Sequence, residues 1–106
     1  MKILAADIGG TNSRFAIVEL NDLTGISMSE PVIFPTWSDS IESFDQLLQH
    51  YSDNRPAGTP DVEEFDALAI AIAGAVSGQR ATLPNISWDI DLGVSKPVKN
   101  IFLLND

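Results

Sequence analysis

Asp7-Ile8-Gly9-Gly10-Thr11-Asn12 is the first stretch whose residue types could do chemistry. Two glycines remove every Cβ from the turn, so successive N–H groups can face one concavity and approach a ligand's oxygens closely. Thr11 adds a hydroxyl and Asn12 an amide. Asp7 ends an apolar run and is placed to hold Mg2+ through the ion's water shell, because Mg2+ keeps several waters and takes one or two carboxylates. The set suits the phosphates of a nucleotide. Gly-Gly is also what a plain hairpin turn uses, and for this stretch alone the plain turn is the commoner explanation. Arg14 reads as a solvated strand residue.

Asn105-Asp106 is the second such element. At the end of a strand this pair commonly marks only the chain's emergence into solvent. In the functional reading, Asn105 hydrogen-bonds a substrate hydroxyl and Asp106 accepts that hydroxyl's proton during phosphoryl transfer, a role worth ~10^2–10^4-fold in rate. Carboxylates at the ends of adjacent strands converge on one edge of a sheet, where open α/β folds bind ligands. The third element is Pro84-Asn85-Ile86-Ser87-Trp88. A tryptophan beside polar residues is most often a partly buried anchor; here it could also frame a sugar pocket, with Asn85 as a polar contact. Trp37 is assigned to packing.

These residues need elements to position them. Ile3–Ile8 and Phe15–Leu20 are apolar runs separated by glycines and polar residues, the sequence form of a β-hairpin. Asn21 to Gly25 reads as a turn and Pro31–Phe34 as a third strand, completing an antiparallel meander. Ile41, Phe44, Leu47, Leu48 and Tyr51 then recur at helical spacing behind Asp39 and Glu42, which predicts a helix from about Ser40 to Tyr51 with a capping box. His50 falls at its exposed end. "SDNRPAGTPDVEE" reads as an exposed loop. "FDALAIAIAGAVSG" predicts a central strand buried on both faces and ending at Gly74. An irregular connection follows, with a single turn near Leu92 to Lys96, and then a buried strand in "NIFLLND". A strand-helix-strand connection crosses over to lie parallel, so the expected class is α/β, a mixed sheet with helix on its faces.

Composition narrows the partners. A chain of 106 residues, 44% of them hydrophobic, holds one domain. The net charge is -9 and the six basic residues (Lys2, Arg14, Arg55, Arg80, Lys96, Lys99) are scattered. That opposes a nucleic-acid surface and an anionic membrane, but not a nucleotide held by backbone N–H groups. Without cysteine there is no disulfide or thiolate metal site, and His50 alone makes no zinc site. The first apolar run stops at Asp7, too short for a secretory segment or a membrane span, so the expected location is the cytoplasm.

Taken in order, "LAADIGGTNSRFAIVEL", "AIAIAGAVSG", "LPNISW" and "IFLLND" resemble the successive signatures of bacterial glucokinases of the proteobacterial type. The resemblance covers nearly the whole chain. It implies an actin-like sugar kinase whose small domain is a ribonuclease-H-like mixed sheet, with ATP and Mg2+ as cofactors and glucose as substrate. Gly9, Gly10, Thr11 and Asn12 would belong to the phosphate-binding loop, with Asp7 near metal and phosphates. Asn105 would be a sugar ligand and Asp106 the base acting on the sugar's 6-hydroxyl; Asn85 and Trp88 would support the sugar site. In that family a larger second domain supplies further sugar ligands and most of the adenine pocket, along with the contacts of a homodimer. The chain is therefore expected to be an amino-terminal small domain, inactive alone and exposing an apolar sheet face. Two other classes share such a scaffold: a sugar-responsive regulator without catalysis, and a ribonuclease-H-like nuclease, which the charge of -9 opposes.

Overall fold

The computed structural model describes residues 1–23, 25–84, 86–93 and 100–105. Its main sheet begins with β1 (Lys2–Ile8) and β2 (Asn12–Asn21), paired antiparallel from Lys2↔Glu19 to Ile8↔Ser13. The outer side of β2 is shared between two short strands. β3 (Gly25–Met28) pairs with its second half and β4 (Val32–Pro35) with its first. The expected third strand is therefore β4, while β3 begins within the expected turn, at Gly25.

Helix α1 (Phe44–Asn54) follows, starting later than its spacing suggested. Ser43, not Asp39, is the N-cap, its hydroxyl accepting the Gln46 N–H at 3.1 Å, and the Gln46 side chain accepts the Glu42 N–H at 2.6 Å. Ile41 is buried but lies ahead of the helix, in a bridge with Ser38. The helix stops where Arg55 must be extended because Pro56 follows. Phe44, Leu47, Leu48 and Tyr51, one face at helical spacing, are buried.

The loop after α1 is tied down rather than loose. Arg55 donates to the Ser52 and Thr59 carbonyls and pairs with Asp61, which caps the 3-10 turn Val62–Glu64. β5 (Ala67–Ile72) then lies parallel to β1, and β9 (Ile101–Asn105) parallel to β5, giving the order β3-β2-β1-β5-β9 with β4 beside β2. Between them a second small sheet is built from β6 (Ala75–Ser77), β7 (Arg80–Thr82) and β8 (Ile90–Asp91), where an irregular connection was expected. Leu92 and Gly93 form a turn after it; residues 94–99 lie outside the described residues. The mixed antiparallel and parallel sheet is thus the α/β arrangement expected.

The pleat separates two faces. Leu4, Ala6, Ile8, Phe15, Leu68, Ile70 and Ile72 are buried in one core with α1, where the Phe15 ring centroid lies 5.2 Å from Tyr51 and 6.0 Å from Phe34. The other face carries Ala5, Ala16, Ala69 and Ala71 in its middle and Met28, Phe102 and Leu104 toward its edges. Met28 is 70% exposed, and Phe102 and Leu104 58% each. So β5 is buried on one face rather than two, and β9 is an exposed edge strand rather than a buried one. Trp37 is 49% exposed and does not pack as expected, whereas Trp88 is buried. His50 is half-buried, edge-on to Phe34 at 4.8 Å. Among the described residues no helix is long and apolar enough to cross a membrane.

Candidate functional site

The parallel register builds one edge. Ile8, Ile72 and Asn105 stand level in β1, β5 and β9, so the three strands deliver their carboxyl ends together. The Ile8 carbonyl accepts the Ala73 N–H at 3.0 Å, carrying the ladder to that edge. Directly beyond Ile8 is the Gly9–Asn12 hairpin, closed by Gly9 N–H donating to the Asn12 carbonyl at 3.0 Å.

That bond revises one expectation about the hairpin. The Gly9 N–H is spent inside the turn, so not every successive N–H faces a common concavity. Among the described residues, the Gly10 and Thr11 N–H groups have no hydrogen-bond partner. Neither Gly9 nor Gly10 has a positive φ; their value here is space. A Cβ on Gly9 would stand 3.1 Å from the Asn12 carbonyl oxygen, and one on Gly10 3.9 Å from that of Pro84. The hairpin therefore passes close to Pro84. Asn85 itself lies outside the described residues, as does Asp106.

Asp7 is exposed, one row back from the edge and directly across from Arg14. Asn105 is one row further along and, by the alternation of the pleat, on the opposite face. Its side-chain amide donates to the Gly74 carbonyl, which ties β9 to the end of β5. Gly74 is confined in turn, since a Cβ there would stand 1.9 Å from the Thr82 carbonyl oxygen.

Two residues that carry no obvious chemistry hold the hairpin in place. Ser13 and Thr36 are both 0% exposed. Their hydroxyls are 2.7 Å apart, and Thr36 also donates to the Gly9 carbonyl at 2.6 Å. Ser13 occupies an inward position of β2, where a polar side chain needs a partner; that alternation was the available signal.

The donor set suits magnesium. An exposed carboxylate is the kind of ligand Mg2+ takes while keeping waters, and Asp7, one residue before Ile8 and the hairpin, is such a group. Among the described residues no three His, Cys, Asp or Glu side chains cluster as a metal site, so an ion here would depend on waters and on phosphate oxygens.

Comparison with known proteins gives this edge its context. The glucokinase family model matches residues 4–106. A glucokinase of Saccharophagus degradans is 32% identical over 98 residues, covering 88% of this chain and 27% of that protein. A glucokinase of Brucella abortus is 32% identical over 112 residues, covering 98% of this chain and 28% of its own length. Among solved structures, a glucokinase from an Antarctic psychrotroph superposes with a TM-score of 0.71 at 24% identity, over 99% of this chain and 32% of that one. A ROK family protein from Streptococcus pneumoniae, in complex with sucrose, does so with a TM-score of 0.61 at 22% identity, over 100% and 35%. The chain thus spans roughly a third or less of the proteins it matches. With a family match over nearly every residue and relatives of the same kind in sequence, the chain belongs to the glucokinase family.

Proposed function

We propose that this chain is the ribonuclease-H-like small domain of an actin-like sugar kinase, and that the whole protein phosphorylates glucose at its 6-hydroxyl with ATP. The observation that supports this most is the register: Ile8, Ile72 and Asn105 are level, so the Gly-Gly hairpin and the residue preceding Asp106 share one sheet edge. That shared edge supports a reading in which the hairpin meets the phosphates and the end of β9 lies toward the sugar.

In this reading the hairpin from Gly9 to Asn12 binds the phosphates, with Gly10 and Thr11 offering N–H groups. Asn105 and Asn85 hold sugar hydroxyls. Asp106 accepts the proton of the 6-hydroxyl as that oxygen attacks the γ-phosphorus; the O6–P bond forms, the bond to the β,γ-bridging oxygen breaks, and ADP leaves. Asp7 would hold Mg2+ through the ion's water shell, and the ion would supply compensation for the phosphate charge. In this reading, further sugar and adenine contacts come from a second domain, for which the length of the relatives leaves room, and the 106-residue chain alone does not turn over.

The test is hexose-dependent ADP release by the protein expressed from its natural gene, beside an Asp106→Asn variant. Turnover that prefers glucose and falls by ~10^2–10^4-fold in the variant supports the assignment. Sugar binding without turnover would move the protein to the class of non-catalytic sugar sensors. Sustained turnover by residues 1–106 alone would overturn the need for a second domain.

A further inference from the structure

We propose that Thr36 is a positioning residue for nucleotide binding: it fixes the Gly9–Gly10 peptide so that the Gly10 N–H is presented to phosphate. The inference rests on the phosphate-binding role proposed above for the hairpin and adds a residue that lies outside the hairpin.

A Gly-Gly turn is a poor anion site by itself. Glycine crosses freely between backbone conformations, and a peptide plane that can flip presents its N–H in one direction and then the other. Something outside the turn must hold the plane. Thr36, the residue after β4, contacts the hairpin on both sides of Gly10. Its backbone N–H donates to the Thr11 carbonyl at 3.0 Å, and its hydroxyl donates to the Gly9 carbonyl at 2.6 Å.

The proton count settles the direction of the network. A carbonyl only accepts, so the single hydroxyl hydrogen of Thr36 goes to Gly9. The Ser13 hydroxyl, 2.7 Å away, must then donate to the Thr36 oxygen. Ser13 and Thr36 are both fully buried, where an unpaired hydroxyl is costly and a paired one is held firmly.

The consequence for the ligand follows from peptide geometry. In a trans peptide the C=O and the N–H that follows it point in opposite directions, and the structure contains no cis peptide bond among the described residues. Holding the Gly9 carbonyl toward Thr36 therefore turns the Gly10 N–H away from it. That N–H has no partner among the described residues. Losing the hydroxyl frees the peptide to rotate, and a binding-competent turn becomes one of several.

The experiment measures Mg·ADP and glucose affinities by calorimetry, together with thermal melting, on the protein from its natural gene. Thr36→Val keeps the shape and removes the hydroxyl; Thr36→Ser keeps the hydroxyl. The expected result is Mg·ADP binding weakened about tenfold in Thr36→Val, the scale of one lost hydrogen bond. Thr36→Ser should stay within about twofold, and glucose affinity should be unchanged in both. Should Thr36→Val fail to fold, Ser13→Ala, which strips the support from Thr36 but leaves its bond to Gly9, is expected to weaken Mg·ADP by about threefold. Wild-type Mg·ADP affinity in Thr36→Val, or in Ser13→Ala where that variant stands in, overturns the inference and leaves the phosphate role of the hairpin intact, even if the melting temperature drops. A wild-type protein that binds no Mg·ADP overturns both.

Discussion

Replacing Gly74 by alanine tests the physical link between the two sheets and the candidate site. A Cβ at that position would stand 1.9 Å from the Thr82 carbonyl oxygen, 3.0 Å from its carbon and 3.2 Å from Leu83 Cα. All three are backbone atoms, so no side-chain rotation relieves the clash. The β5–β6 turn or β7 has to move, and overpacking of this kind costs ~3 kcal/mol, the upper part of its usual range. The same movement carries away the Gly74 carbonyl that accepts from Asn105, at a cost of about 1 kcal/mol. The smaller conformational freedom of unfolded alanine returns ~0.7 kcal/mol. The net is a destabilisation of about 3 kcal/mol, a fall in the folded-to-unfolded ratio of roughly 150-fold. Urea unfolding followed by the fluorescence of Trp88, which is buried, reads it as a midpoint lowered by ~2–3 M for a domain of this size. Gly78→Ala is the control: φ is +60° and the space is open, so only backbone strain of about 1 kcal/mol is added. A Gly74→Ala midpoint within ~0.5 M of the parent, or one no lower than that of Gly78→Ala, would refute the reasoning.

Three more outcomes are expected. Tyr51 is buried and no partner stands at full hydrogen-bonding geometry to its hydroxyl among the described residues; the nearby Thr59 hydroxyl, which donates to Pro56, only tempers the effect of burial. Burial pushes its phenol pKa up, opposed by Arg55, and Tyr51→Phe should be neutral or stabilising by ~1 kcal/mol in urea unfolding, a loss of more than that counting against it. The Ser52 hydroxyl and the Val62 N–H hold the Asp61 carboxyl below its ordinary value of 3.8. The folded form thus favours the charged group, so its contribution is full above that ordinary value and lost as pH falls through the depressed one. Asp61→Asn should flatten that acid limb of a stability-against-pH curve, and an unchanged limb would rule Asp61 out as its source. Residues 1–106 expressed alone should self-associate through the face bearing Met28, Phe102 and Leu104, and Phe102→Lys with Leu104→Lys should shift sedimentation to monomer; a monomeric parent would sink that idea.

What the sequence made legible was whatever alternation and glycine placement encode. The β1–β2 hairpin and the parallel β5 follow from apolar runs with punctuated ends, and both are present. β3 carried no signal because all four of its residues are exposed, and it is held by pairing with β2. β6, β7 and β8 have three, three and two residues, too few for a period to show. The helix start was misplaced because Ile41 continues the apolar spacing while its backbone does not, and Ser43 outcompetes Asp39 as the cap. Burial of β5 on both faces was read from an apolar run in which Ala69 and Ala71 are only half-buried. At the site, Asp7 and the glycines were visible by type, whereas Thr36 depends on a contact across 27 residues of chain, which no local pattern reveals.

The measurement closest to the central claim is a crystal structure of the protein from its natural gene with glucose and a non-hydrolysable Mg·ATP analogue. Phosphate oxygens are expected within hydrogen-bonding distance of the Gly10 and Thr11 N–H groups, and the sugar's 6-oxygen ~2.6–3.2 Å from the Asp106 carboxylate. Glucose or the phosphates seated away from the shared edge of β1, β5 and β9 would contradict it.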